Sequence, residues 1–346
     1  MTLFYSKQAN YFIKYIMKVI AGVSLILGCF FGAGFVSGRE IAFYFGRFGC
    51  WSILSIIVSV ILFFLLTLFF FRLSDSSKSF SDFSVKYFGK ASNIVNWLLC
   101  FCILIISSSM LAGTQSLAIA LNINNQVFVA FTLFLSFLIL IGNLKSLIKI
   151  NLILLPVILI IMIIISCNVG NKNINFGEGF GAIVSGVNYV FINIVTLGMF
   201  ILEIGGKYTK KEKFYICVIS SFVVGGLLVL LNFAIMRNGL VDDLMPNLTL
   251  ARFNSFVYVI MQVCIYLGLF TTLISNVLLL ANFVNTYIKN YILSVLVMLV
   301  ISFILSFVGF KFIVGYVYSF VGVVGAFMIL YIGVFSKKYQ KNKEKS

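Results

Sequence analysis

The chain has 346 residues, 62% of them hydrophobic and 10% charged, with a formal net charge of +16. A soluble domain carries roughly 25% charged residues, and the apolar runs here repeatedly reach the about 20 residues that a bilayer core demands of a helix; a soluble globular fold is excluded. The positive charge does not mark a nucleic-acid surface, because the lysines sit in short loops between apolar runs and in the tail, where membrane orientation puts them.

The first predicted span covers about 16–46 and contains FFGAGFVSGRE, residues Phe30 to Glu40. Gly28, Gly32, Gly34 and Gly38 cluster near its middle with Ser37, and Arg39 and Glu40 follow. Small residues serve close packing of membrane helices. They also serve helix breaks, which lipid tolerates only where the freed backbone lines protein or a water cavity. Packing alone does not account for the charged pair, so a break is expected within about 31–37.

The remaining spans are predicted at about 50–72, 91–121, 125–142, 146–168, 181–205, 213–236, 250–285, 290–309 and 312–335. SFSDFSVKYFG, 79–89, reads as an amphipathic stretch at the membrane surface. Pro156 reads as a tolerated kink in the fifth span. With the N-terminus inside, nineteen of the 25 Lys and Arg residues fall on the inner side or in the tail, which places both termini in the cytoplasm of a multi-pass cell-membrane protein. The N-terminal run continues too far for a cleaved signal peptide.

Ten spans divide into two halves of five, about 16–168 and 181–335, followed by a basic tail, 336–346. An odd number of helices per half inverts the second half against the first, a transporter architecture. The segments SFLILIGNLK and SFILSFVGFK, ending spans four and nine, carry a weak echo of such a repeat. The sixth span should then be broken as well, within about 192–198, where Tyr189, Asn193, Thr196 and Gly198 gather; Glu203 adds a charge near its end.

The string GAGFVSGREI followed by FYFGRFG resembles the first-helix signature of the YkvI-type membrane proteins, a bacterial group related to the amino acid–polyamine–organocation superfamily. The resemblance implies the LeuT-type fold: an all-α polytopic protein of ten helices in two inverted five-helix repeats, with helices 1 and 6 broken mid-membrane. By that resemblance the substrate site comprises Gly32, Ala33, Gly34, Phe35 and Ser37 with Tyr189, Asn193 and Thr196. In the eighth span Gly268, Thr271 and Thr272 share one helix face. Sodium-coupled proteins of the LeuT-type fold set such residues against two first-helix carbonyls, which here would be those of Gly28 and Phe31; the bland alternative is that the threonines bond back to their own helix. Arg39, Glu40 and Glu203 are the gating or coupling candidates, with Arg39 or another polar group expected to partner Glu40. The tenth span lacks the acid that relatives of this fold use in an outer gate.

The expected function is secondary transport of a small solute, an amino acid or related zwitterion; the alternative is a membrane ligand sensor of the same fold. All seven cysteines fall in or beside apolar segments, there is no histidine, and no CxxC pair occurs, so no cofactor other than a sodium ion is expected. With only Glu40 and Glu203 as carboxylates inside spans, a catalytic set cannot be assembled, and the chain does not read as an enzyme. The expected partners are the lipid bilayer and a small-molecule substrate.

Overall fold

Every regular element of the described residues is helical, as lipid requires of a chain that must satisfy its own backbone polar groups. The computed structural model describes the backbone of residues 2–75, 80–142 and 145–343, and their side chains apart from 2–12, 33, 80–82, 145–153, 203 and 333–343. The first span is divided into α1 (Thr2–Phe30), α2 (Ala33–Ser37) and α3 (Arg39–Tyr44). α4 (Ser52–Leu73) and the short α5 (Phe80–Phe88) lead to α6 (Ser92–Ala120), α7 (Asn125–Ile141) and α8 (Lys145–Ser166). Then come α9 (Gly179–Ile204), α10 (Lys210–Arg237), a single turn α11 (Pro246–Leu250), α12 (Ser255–Ile288) and α13 (Tyr291–Ser306). A short α14 (Phe310–Phe312) runs through a π-helical turn, Ile313–Val317, into α15 (Tyr318–Lys343). Among the described residues, seven helical stretches are long and apolar enough to cross a membrane, and three shorter apolar helices, Asn125–Ile141, Leu154–Ser166 and Tyr291–Ser306, accompany them.

Several helices begin on a side-chain cap, which satisfies N–H groups that the first turn cannot pair internally. The Asn124 oxygen accepts from the amides of Gln126 and Val127 at α7. Asn254 does the same for α12 and Asn290 for α13. Thr209 and Glu212 form a reciprocal capping box at α10. The cap at Asn254 corrects the predicted start of the eighth span: the chain first makes the α11 turn on Pro246, and the long helix starts afterwards.

α9 packs between α4 and α15, and α10 flanks α4 and α1; α12 packs against α6 and α13. α2 and α3 pass between these groups, α2 touching α12 and α6, α3 touching α9 and α10. The α4–α9 contact is close because glycines stand where side chains would collide. A Cβ on Gly198 would lie 2.7 Å from the Phe70 ring, and one on Gly186 would lie 2.4 Å from the Ser55 hydroxyl.

That use of Gly198 corrects the expected second break. α9 is one continuous helix through 192–198. Two of its polar side chains bond back within the helix: Asn193 Nδ2 donates to the Tyr189 carbonyl at 2.9 Å, and Thr196 Oγ1 donates to the Asn193 carbonyl at 3.2 Å. Nothing there forces the backbone open, and the glycine serves packing.

Candidate functional site

The first span breaks because two amides turn away from their helical partners. The Gly32 N–H donates to the Phe30 carbonyl at 2.8 Å instead of reaching Gly28, and the Phe35 N–H donates to the Gly32 carbonyl at 3.1 Å instead of reaching Phe31. The carbonyls of Gly28 and Phe31 thereby lose the donors an unbroken helix would give them. A second interruption follows at Gly38, whose φ of +82° is the left-handed conformation that a residue without Cβ adopts freely. Asn247 of α11 closes that turn: its Nδ2 donates to the Phe35 carbonyl at 3.2 Å and to the Val36 carbonyl at 3.0 Å.

A cavity of about 260 Å³ opens at the first break. It extends toward the side on which α1 begins, taking in Ser24 and Leu25 of α1, Ile158 of α8, Met199 of α9 and Leu279 of α12. The opposite side is packed shut. Arg39 Nη1 donates to the carbonyls of Val241 and Asp243 at 3.2 and 2.7 Å. The Tyr189 ring stacks among Phe30, Tyr44 and Phe45, with centroids 5.1 to 5.9 Å away. Tyr44 in turn donates to the Val314 carbonyl at 3.1 Å, beside the π-helical turn.

The cavity brings Gly28, Phe31, Gly32, Glu40, Asn193 and Thr196 onto one surface with Gly268, Thr271 and Thr272. Thr271 Oγ1 donates to the Leu267 carbonyl at 2.8 Å, and this back-bond leaves the oxygen lone pairs free to face a cation. Hard neutral oxygens of this kind suit a hard cation, so the donor set fits sodium: two released carbonyls, the Gly268 backbone and the two threonine hydroxyls.

Glu40 is 6% exposed and lines the cavity. Its side chain folds back from α3 across Gly38 and lies over Gly34, so that a Cβ on Gly34 would stand 2.0 Å from Glu40 Oε1 and 2.5 Å from Cγ. The carboxylate is within electrostatic range of the hydroxyls of Tyr44, Tyr189 and Tyr318. Of the two kinds of partner expected from sequence, Arg39 is not the one it takes, because the guanidinium is turned to the 241–243 backbone.

Other expectations are corrected here. Gly34 is covered by Glu40. Phe35 is fully buried and packs on Phe30 and Phe31, not on the cavity wall. Ser37 donates back to the Gly34 carbonyl at 3.1 Å, and Tyr189 sits in the aromatic plug. The side chains of Ala33 and Glu203 lie outside the described residues. Sequence reasoning missed three contributors. Asn276 lines the cavity one turn beyond Thr272, on the face already marked by Gly268 and Thr272, so continuing that period would have found it. Tyr318 lines the cavity with its hydroxyl hydrogen-bonded to Ser109. Asn247 acts from a loop turn and has no periodic signal.

Among curated proteins, the chain is 30% identical over 143 residues to the uncharacterized membrane protein YkvI of Bacillus subtilis (strain 168). That match spans 40% of this chain and 41% of the relative, less than half of either. Among solved structures, the inward-facing conformation of Mhp1 matches with a TM-score of 0.67 at 12% identity, over 91% of this chain and 74% of that one. The chain is related to YkvI and has the LeuT-type fold. At 12% identity the structural match speaks for the fold alone. No family model matches the chain. The relative is a membrane protein, and the structural match shows the fold.

Proposed function

We propose that this protein is a secondary active transporter of the cell membrane for a small solute, an amino acid or related zwitterion, coupled to sodium. In this reading ten spans form two inverted five-helix halves, with both termini cytoplasmic. The observation that carries it is the first-span break: in a LeuT-type fold, the released carbonyls of Gly28 and Phe31 open onto a one-sided cavity together with Gly268, Thr271 and Thr272. Sodium, when bound, supplies a positive charge that ties α1 to α12. The chain's own part is to hold those oxygens convergent, to keep the far side closed through Arg39, Asn247 and the Tyr189 plug, and to move α1–α3 when access alternates.

The continuous α9 changes the mechanism expected from sequence. A pair of facing half-helices would offer two partial positive ends to a carboxylate; here rearrangement centres on α1–α3 alone. That same continuity favours the second reading, a ligand sensor of this fold that binds without transport, since one broken helix leaves less to rearrange. Solute flux in proteoliposomes separates the two. Counterflow of labelled amino acids, with an imposed sodium gradient, is expected from a transporter; saturable binding with no flux under sodium or pH gradients overturns the transport reading.

A further inference from the structure

We propose that the cavity holds the ammonium group of its solute against Glu40, and that Gly34 is the positioning residue that lets the carboxylate reach the cavity. This rests on the cavity being a solute site, as in the reading above, but not on the protein being a transporter.

The inference starts from charge. Glu40 is buried at the cavity surface, and a carboxylate taken out of water is costly unless an opposite charge meets it. Arg39, the adjacent cation, is committed to the carbonyls of Val241 and Asp243 on the closed side. Among the described residues lining the cavity there is no lysine or arginine. The chain therefore presents one carboxyl group, and no cation of its own, to an otherwise mostly apolar, hydroxyl-bearing pocket, so a cationic ligand would hold that group ionised and supply the counter-charge.

Geometry gives the carboxylate its place. α2 is only five residues long, and the left-handed turn at Gly38 folds α3 so that the Glu40 side chain runs back along it. The chain at Gly34 leaves the space this needs, since a Cβ there would overlap the carboxylate and its Cγ at 2.0 to 2.5 Å. All three atoms belong to the Glu40 side chain, so an alanine would push the carboxylate away from this position.

Two monovalent cations could meet Glu40: an ammonium group or an alkali metal ion. The ammonium is favoured because the hard neutral oxygens that suit sodium are supplied by other lining residues, Gly28, Phe31, Thr271 and Thr272. Among the described residues, no group of three or more Asp, Glu, Cys or His side chains that could hold a metal ion forms around Glu40.

The test is binding to the full chain in nanodiscs, by titration calorimetry and thermal shift. The probes are a size-matched set of linear primary amines, the corresponding alcohols and the corresponding carboxylates, in potassium buffer. Amines are expected to bind roughly tenfold more tightly than the alcohols, and carboxylates more weakly than either. Glu40→Gln and Gly34→Ala should each erase the preference for amine over alcohol. Gly226→Ala, on α10 away from the cavity lining, should keep it. If Glu40→Gln does not fold, Glu40→Asp decides: it should keep the preference at lower affinity, and equal weakening of amine and alcohol overturns the proposal. A folded Glu40→Gln protein that still prefers amines overturns it. So does a wild type with no amine binding in the millimolar range. Loss of sodium-induced stabilisation in Glu40→Gln with amine preference intact would assign the carboxylate to sodium instead. Amine-selective binding without flux leaves this proposal standing and removes only the transport reading.

Discussion

Asn247 and Val36 are 211 residues apart, yet the Asn247 amide donates to the Val36 carbonyl at 3.0 Å. The same amide reaches the Phe35 carbonyl, which also accepts from the Gly38 N–H, so one side chain serves two carbonyls at the Gly38 turn, of which that of Val36 has lost its ladder donor. Both residues are fully buried in protein, where water does not compensate. Asn247→Leu is expected to cost about 1–3 kcal/mol, the penalty for leaving buried polar groups unpaired. It should read as a lower thermal unfolding temperature in detergent. An unchanged melting temperature would mean that the two carbonyls find another donor.

How much of this was legible beforehand differs between the two halves. The first-span break could be read because four glycines and two charges cannot all be explained by packing. The carbonyls expected to be free, Gly28 and Phe31, are the ones whose donors turn away. The sixth span had a similar vocabulary of asparagine, threonine and glycine, but composition does not say where a side chain bonds. Asn193 and Thr196 turn back on their own helix, and Gly198 meets Phe70, so the helix stays whole. Of the partners expected for Glu40, Arg39 is not the one it meets, for a related reason. Adjacent residues in the first turn of α3 point in different directions, and a loop 202 residues away supplied the carbonyl for Arg39.

The packing use of Gly198 makes a steric prediction. Gly198→Val places branched carbons where even a Cβ would stand 2.7 Å from the Phe70 ring, and overpacking of this kind costs about 1–3 kcal/mol. Gly226 on α10 has nothing within 4 Å of an added Cβ, so Gly226→Ala should be neutral or slightly stabilising. Paired melting curves check both. Equal curves for wild type and Gly198→Val would show that α4 and α9 separate easily, and would reopen the case for movement at α9.

At the C-terminal end of α4, Lys213 is buried and its Nζ donates to the Phe71 carbonyl at 3.0 Å, Ser74 Oγ at 3.3 Å and Asp75 Oδ1 at 2.5 Å. A cation against the last carbonyls of a helix also meets its negative end. Lys213→Met should therefore destabilise by about 1–3 kcal/mol, chiefly through the buried acceptors it abandons. Asp75→Asn should cost less than about 1 kcal/mol, because that carboxylate is 53% exposed and screened. The Lys18–Glu212 pair, with Lys18 40% exposed, belongs to the same weak class. Adding salt should narrow the gap between wild type and Asp75→Asn, and leave the Lys213→Met deficit nearly unchanged.

The threonine pair gives the sharpest check on coupling. Thr271 Oγ1 already bonds to the Leu267 carbonyl, so its proton is spoken for and its lone pairs are what a cation would meet. Thr271→Val with Thr272→Ala removes both hydroxyls with little change in volume; the lost back-bond is to a helix carbonyl that keeps its own ladder donor. If sodium binds between this pair and the carbonyls of Gly28 and Phe31, sodium and solute stabilise each other reciprocally. The double variant should then lose the sodium dependence of solute binding, a loss of roughly five- to tenfold in affinity at high sodium, while sodium-free binding stays near the wild-type value. The measurement is solute titration of the nanodisc-embedded protein in sodium and in potassium buffer. A folded double variant that keeps its full sodium response would place any sodium elsewhere and leave the two hydroxyls as ordinary helix back-bonds.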